Sequence, residues 1–238
     1  MYTSSIESRT RKFISDAGNI SFRTDCFVYN PLTYAYDVFR KYEEMAMSGE
    51  NRVMFIGMNP GPDGMMQLGV PFGSVSMVRD YLGLDGVIAK PAQEHEKKRI
   101  LGFSVRKDEP SGKAFWSMVR RAFPDRNDFF SFASVQNFCP LAFLRNDSGA
   151  NMTPDKLIKE DRDVLESLCL DYLGYLLDVL DVKTVVAIGN YVEKMVKRLD
   201  FAHIVKIMHP SPINPKAHEV WADDCAIVTE YLKKEGVF

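Results

Sequence analysis

Four short apolar runs, each ended by a glycine or a polar loop and separated from the next by helix-forming sequence, constrain this chain more than any other feature. Arg52–Ile56 (RVMFI) stops at Gly57, and Phe129–Val135 (FFSFASV) runs into Gln136-Asn137. Thr184–Ile188 (TVVAI) stops at Gly189, and Ile204–Met208 (IVKIM) at His209. Apolar runs of this length suit strands covered on both faces, as in a parallel sheet. Between them, residues 33–47 place apolar side chains on one helical face, Ser76 is positioned to cap a helix through Tyr81, and 114–122 read as a helix stopped near Pro124. Residues 85–112 are loop-rich. Thr153-Pro154-Asp155 opens a helix to about Leu180, with proline at its first position. Gly189 leads into a helix to about Leu199, and a last one fills roughly 216–235.

Alternation of this kind predicts an α/β fold: a single domain over 1–238 with a central, mostly parallel four-stranded sheet flanked by helices. Residues 1–50 are expected as a helical N-terminal flank packed on that sheet. No apolar run approaches the roughly 20 residues that cross a bilayer, and MYTSSIESRTRKF has no apolar block of a secretory signal. Intracellular residence is therefore expected. Cys26, Cys139, Cys169 and Cys225 are scattered, with no CxxC pair and no histidine at ligand spacing, so they read as buried small hydrophobes. The net charge of −2 does not advertise a polyanionic partner. The basic stretch from Lys97 to Lys107, with Lys113, Arg120 and Arg121 downstream, reads by composition as a solvated face.

In parallel α/β sheets, ligands bind beyond the carboxyl ends of the strands. The loops after Ile56, Val135 and Met208 all leave such ends and are placed to converge on one crevice. The first, Gly57–Gly73 (GMNPGPDGMMQLGVPFG), mixes glycines that permit close backbone approach with prolines that stiffen it. It lacks the GxxxxGK[ST] and GxGxxG phosphate patterns. A rigid loop presenting Asn59 to a planar apolar ligand fits better, with Phe72 and Met65 as apolar surface; Asp63 reads as a turn residue. His209 opens HPSPINP, where a buried strand and three prolines fix the imidazole; His95, His203 and His218 have no such setting. A lone histidine is more often structural, and Asn137 at a strand end also suits a turn or cap. Its amide, however, donates and accepts at once. That matches the N3–H and O4 edge of uracil and opposes the acceptor N3 and donor N4 of cytosine.

GMNPGPDGMMQLGVPFGSVSMVRDYLGL resembles the first motif of the single-strand-selective monofunctional uracil-DNA glycosylase family, and HPSPINPKA resembles its second. SGKAFW, VQNFCPLAFL and NMTP lie between them in the family's order, so the resemblance spans roughly Arg52 to Trp221. It implies that Asn59 positions the attacking water and that His209 hydrogen-bonds uracil O2. It further implies that Asn137 reads the base, that Phe72 stacks on it and that the Met58 backbone N–H faces O2. Gly61 and Met65 match positions at the C5 edge, where a small residue is consistent with acceptance of 5-hydroxymethyluracil. Pro210, Ser211, Pro212 and Ile213 match the segment that enters DNA; vertebrate members carry arginine where this chain has Ile213. An apolar wedge unstacks a base step but makes no hydrogen bond to the opposite base.

The resemblance thus implies a DNA repair enzyme acting on uracil in single- and double-stranded DNA, as a monomer, with no cofactor, metal or membrane. Its location would be the nucleoid in a bacterium or the nucleus in a eukaryote. Preference for another lesion such as xanthine, or an inactive nucleic-acid-binding module that kept the crevice, stay open as alternatives.

Overall fold

The computed structural model describes residues 4–210 and residue 230 of the 238. In chain order the elements are α1 (Ser4–Gly18), β1 (Cys26–Tyr29), α2 (Pro31–Tyr34), α3 (Tyr36–Ala46), β2 (Val53–Gly57), α4 (Met65–Leu68), α5 (Val75–Asp80), α6 (Pro110–Ala122) and α7 (Arg126–Phe130). There follow β3 (Ala133–Asn137), β4 (Ala142–Arg145), β5 (Asn151–Met152), α8 (Lys159–Val179), β6 (Thr184–Ile188), α9 (Asn190–Val196) and β7 (Ile204–Ile207).

Four strands form a wholly parallel sheet in the order β3-β2-β6-β7. The chain runs outward from β2 to β3, then crosses back to lay β6 on the other side of β2, which puts the reversal of strand order between β2 and β6. Beyond the carboxyl ends at such a reversal an open crevice forms. Side chains on one strand alternate between the two faces. Val53 and Phe55 enter a core shared with Val38 and Tyr42 of α3, Val78 of α5, Phe115 and Trp116 of α6 and Phe129 of α7. Met54 and Ile56 enter the opposite core, with Ile6 and Phe13 of α1, Leu165 and Leu173 of α8 and Val192 of α9. Every residue of β2 and of β6 is buried, as covering both faces demands.

A second, antiparallel sheet of order β1-β4-β5 was not expected from the sequence. Its Tyr29, Ala142 and Leu144 pack with Tyr34, Met66 and Ile100, under the loop that follows β2. The strand β1 also corrects the purely helical picture of residues 1–50. Other boundaries shift for local reasons. Phe129 and Phe130 belong to α7, not to a strand, because the Asp125 carboxylate accepts from the Asn127 N–H at 2.9 Å and starts a helical turn there. Ser74, not Ser76, stands at the start of α5, and the cap comes from afar: Asp108 accepts from the Ser76 N–H at 3.2 Å and from both hydroxyls at 2.9 Å. Pro154 opens only a single 3-10 turn, and α8 begins at Lys159, after Thr24 Oγ1 has accepted the Ile158 N–H at 3.1 Å. Helix α6 starts at Pro110, four residues before the expected 114, with Glu109 as its cap. The helix expected over 216–235 lies outside the described residues. Among the described residues no helix is long and apolar enough to cross a membrane.

Candidate active site

Strands β2 and β3 end side by side, with Gly57 opposite Asn137. The pairing continues past the strands through Phe138 N–H to Gly57 O (2.8 Å) and Cys139 N–H to Met58 O (2.9 Å). Met58 and Asn59 therefore emerge next to Asn137. Glycine is required at 57, because a Cβ there would lie 2.4 Å from Asn137 Oδ1 and 2.7 Å from the Phe72 ring.

The loop that follows is held by hydrogen bonds to its backbone. Buried Gln67 donates to Pro62 O (3.0 Å) and Arg99 O (3.2 Å) and accepts from Leu101 N–H (2.8 Å). The Trp116 indole N–H donates to Pro71 O at 3.1 Å. Phe72 follows with a φ of +52°, in the left-handed region. A conformation of that kind costs about 1 kcal/mol or more and persists where its surroundings enforce it. Here Phe115 stacks on Phe72 with centroids 4.7 Å apart and planes 20° from parallel. That covers one face of the ring, and the ring also lines the crevice.

The crevice has a volume of about 430 Å3 and is lined by the predicted Met58, Asn59, Gly61, Met65, Phe72, Asn137 and His209. Loops from β2, β3 and β7 thus meet there as expected, in a cavity of the size that holds a small planar ligand. The two asparagines have few partners among the described residues. Asn59 Nδ2 reaches only Pro60 O, at 3.5 Å. Asn137 Nδ2 donates to the Met65 sulfur at 3.0 Å, a weak acceptor. The His209 ring lies 6.1 Å from that of Phe72, tilted by 35°. Burial pushes the His209 pKa down, so at neutral pH the imidazole is uncharged and carries one N–H. Pro210 is buried; Ser211, Pro212 and Ile213 lie outside the described residues.

Asp63 sits in a turn and pairs with Lys98 (3.0 Å) and Lys107 (3.5 Å) at the rim. Part of the basic stretch is thereby tied to the first loop. Cys26, Cys139 and Cys169 are free thiols; Cys225 lies outside the described residues.

Sequence reasoning missed four polar lining residues: Glu109, Ser111, Asn151 and Thr153. Glu109 is the most consequential. Burial raises its pKa, against hydrogen bonds from Gly112 and Ser111 that favour the charged form. Its signal was present as Glu109-Pro110-Ser111-Gly112, an acidic cap followed by proline at the first helical position. Asn151 and Thr153 belong to the unanticipated β5 and its exit.

Comparison with known proteins agrees with this architecture. The sequence profile of the Uracil DNA glycosylase superfamily matches residues 46–234. The single-strand selective monofunctional uracil DNA glycosylase of Bos taurus is 39% identical over 215 residues, covering 88% of this chain and 78% of that protein. The Rattus norvegicus protein is 39% identical over 199 residues, covering 82% of this chain and 71% of its own. In fold, the crystal structure of wild-type Pedobacter heparinus SMUG2 aligns with a TM-score of 0.66, over 94% of this chain and 98% of that one, at 16% sequence identity. With its parallel sheet, its strand-end crevice and matched sequence over most of its length, this chain belongs to the uracil DNA glycosylase superfamily.

Proposed function

We propose that this protein is a monofunctional uracil-DNA glycosylase, which takes a uracil nucleotide into the crevice and hydrolyses its N-glycosidic bond to leave an abasic site. One observation carries this reading: polar side chains from three strand ends, their hydrogen-bonding capacity largely unused among the described residues, surround an aromatic face in one crevice. The named activity of relatives that are 39% identical over 215 aligned residues supports it.

The chemistry follows from the groups present. Breaking the bond separates charge into a sugar cation and a uracil anion, so catalysis consists of stabilising that separation. A fixed donor aimed where negative charge grows contributes about 3 kcal/mol. Neutral His209 and the Met58 backbone N–H fill this role at O2. The Asn137 amide accepts from N3–H and donates to O4, which selects uracil over cytosine, while the base stacks on Phe72. Asn59 orients the attacking water; an amide takes no proton at neutral pH, and an oxocarbenium-like centre needs an oriented water more than an activated one. With water as the nucleophile, no covalent enzyme–sugar adduct forms and the backbone stays intact.

Extruding the base costs a few kcal/mol from a duplex and less from a single strand. Ser211, Pro212 and Ile213 are proposed to meet the DNA; Pro210, expected there too, is buried and is proposed instead to hold the base of that segment. With isoleucine as the wedge, single strands are the better substrate and duplexes a weaker one, with 5-hydroxymethyluracil accepted beside uracil. The protein is proposed to act as a monomeric single domain. A panel of uracil, 5-hydroxymethyluracil, xanthine and thymine in single- and double-stranded oligonucleotides tests this, with wild type and Ile213→Arg. Uracil release from single strands is expected, with duplex activity increased by the arginine. No uracil release at any salt concentration would overturn the proposal.

A further inference from the structure

Glu109 is the one carboxylate among the described lining residues of the crevice, and the chemistry above leaves it without a role. We infer that Glu109 is a specificity-determining residue at the C5 edge of the base. Its Oε1 accepts a hydrogen bond from a donor carried on C5, and the same carboxylate rejects an apolar C5 substituent. The inference rests on the proposed uracil site and adds a residue to it.

The orientation of Asn137 locates the C5 edge. Its Oδ1 is directed to the Gly57 side, only 2.4 Å from where a Cβ on Gly57 would stand, and its Nδ2 to the Met65 sulfur, 3.0 Å away. An amide so placed accepts from N3–H on the Gly57 side and donates to O4 on the Met65 side. C5 is the ring atom next to C4, so a C5 substituent points to the wall on the Met65 side. Gly61 and Glu109 both line the crevice, and Glu109 Cγ lies 2.9 Å from where a Cβ on Gly64, the neighbour of Met65, would stand, which puts both on that wall.

The two oxygens of Glu109 have separate surroundings. Oε2 accepts from the Gly112 N–H at the start of α6, and the Ser111 N–H and hydroxyl also donate to the carboxylate. Oε1 faces Gly61, 3.6 Å from the position a Gly61 Cβ would take. Because residue 61 has no side chain, the space before this oxygen is open. The carboxylate is largely withdrawn from solvent, and burial raises its pKa. An apolar group pressed against it would remove further solvation and offer no hydrogen bond in return. A methyl on C5, as in thymine, has that effect, whereas a hydroxymethyl donates its O–H to Oε1. Sites built around a buried polar group discriminate strongly against analogues that leave the group unpaired.

The test compares kcat/KM for uracil, 5-hydroxymethyluracil and thymine in one single-stranded oligonucleotide, using wild type, Glu109→Gln and Gly61→Ala. Glutamine keeps a carbonyl oxygen for the Gly112 N–H and replaces the crevice-facing oxygen with an amino donor. Alanine at 61 fills the space, its Cβ lying 3.4 Å from Glu109 Cγ. The preference for 5-hydroxymethyluracil over uracil should fall by about tenfold or more in each variant, and thymine should gain relative to uracil in Glu109→Gln. An equal fall on all bases in Glu109→Gln would mark a purely structural role and overturn the inference. So would a wild type that releases uracil but not 5-hydroxymethyluracil. A wild type that releases no base overturns the proposed function itself. Should Glu109→Gln fail to fold, the preference measured for Gly61→Ala decides; where both fold, Glu109→Gln decides.

Discussion

Two kinds of polar cluster lie among the described residues, and they use their hydrogen bonds in opposite ways. Where α1 and α3 meet α8, buried Glu43 accepts from Thr10 at 2.8 Å and from Tyr172 at 3.3 Å. At the first turn of α8, buried Asp161 accepts from the Thr24 backbone N–H (2.7 Å), the Thr24 hydroxyl (2.6 Å) and the Arg23 N–H (2.9 Å). These acceptors are satisfied by the protein itself, as buried groups generally are. At the strand ends, Asn59 and Asn137 have a 3.5 Å contact and a sulfur to offer their amides, although the loops that carry them are firmly bonded. Satisfied polar groups hold elements together. Incompletely satisfied ones on a rigid backbone are kept for something that arrives from outside, and the difference separates architecture from chemistry.

Substitution should expose that contrast. His209→Ala and Asn59→Ala are each expected to raise the barrier by about 2–4 kcal/mol, a loss of roughly 30- to 1,000-fold in single-turnover rate. Their unfolding free energies should stay within about 1 kcal/mol of wild type. A large stability loss with an unchanged rate would reverse the assignment of the two kinds. Asp161→Ala should behave oppositely, losing about 2–3 kcal/mol of stability because hydrogen bonds to a charged group are removed. Its rate per folded molecule should be that of wild type, checked by denaturant unfolding beside active-site titration.

The smallest effect concerns pH. Burial lowers the His209 pKa, so the neutral imidazole persists below its ordinary value near 6.5. The single-turnover rate should therefore show no inflection at pH 6.5, and one at or above that value would contradict a neutral donor. In stability the sign is the same. The unfolded chain binds the proton first, so the contribution present above about pH 6.5 is lost as pH falls towards the folded pKa. His209→Ala should remove that component.

Much of this was legible because covered parallel strands leave a blunt record: four apolar residues, then a glycine. Val53–Gly57 and Thr184–Ile188 match the runs seen in the sequence. The antiparallel sheet left no such record, since β1 and β4 have four residues each and β5 only two. Such segments are too short to display a period. Phe129-Phe130 misled because aromatic residues suit a strand, whereas Asp125 made a helical turn of them. Asn59, Asn137 and His209 stood out because each follows an apolar run. Glu109 did not, because its place in the crevice depends on the chain folding back so that α6 begins beside Gly61.

The central claim is hydrolysis without strand cleavage, by groups that stabilise separated charge. Its most direct test incubates excess protein with a uracil-containing single-stranded oligonucleotide in the presence of EDTA. Released base is identified by mass, and the strand is examined with and without alkali. The account predicts free uracil and a strand that breaks only after alkali treatment, with both signals greatly reduced in His209→Ala. Breakage without alkali, or a full yield of uracil from His209→Ala at the wild-type rate, would contradict it.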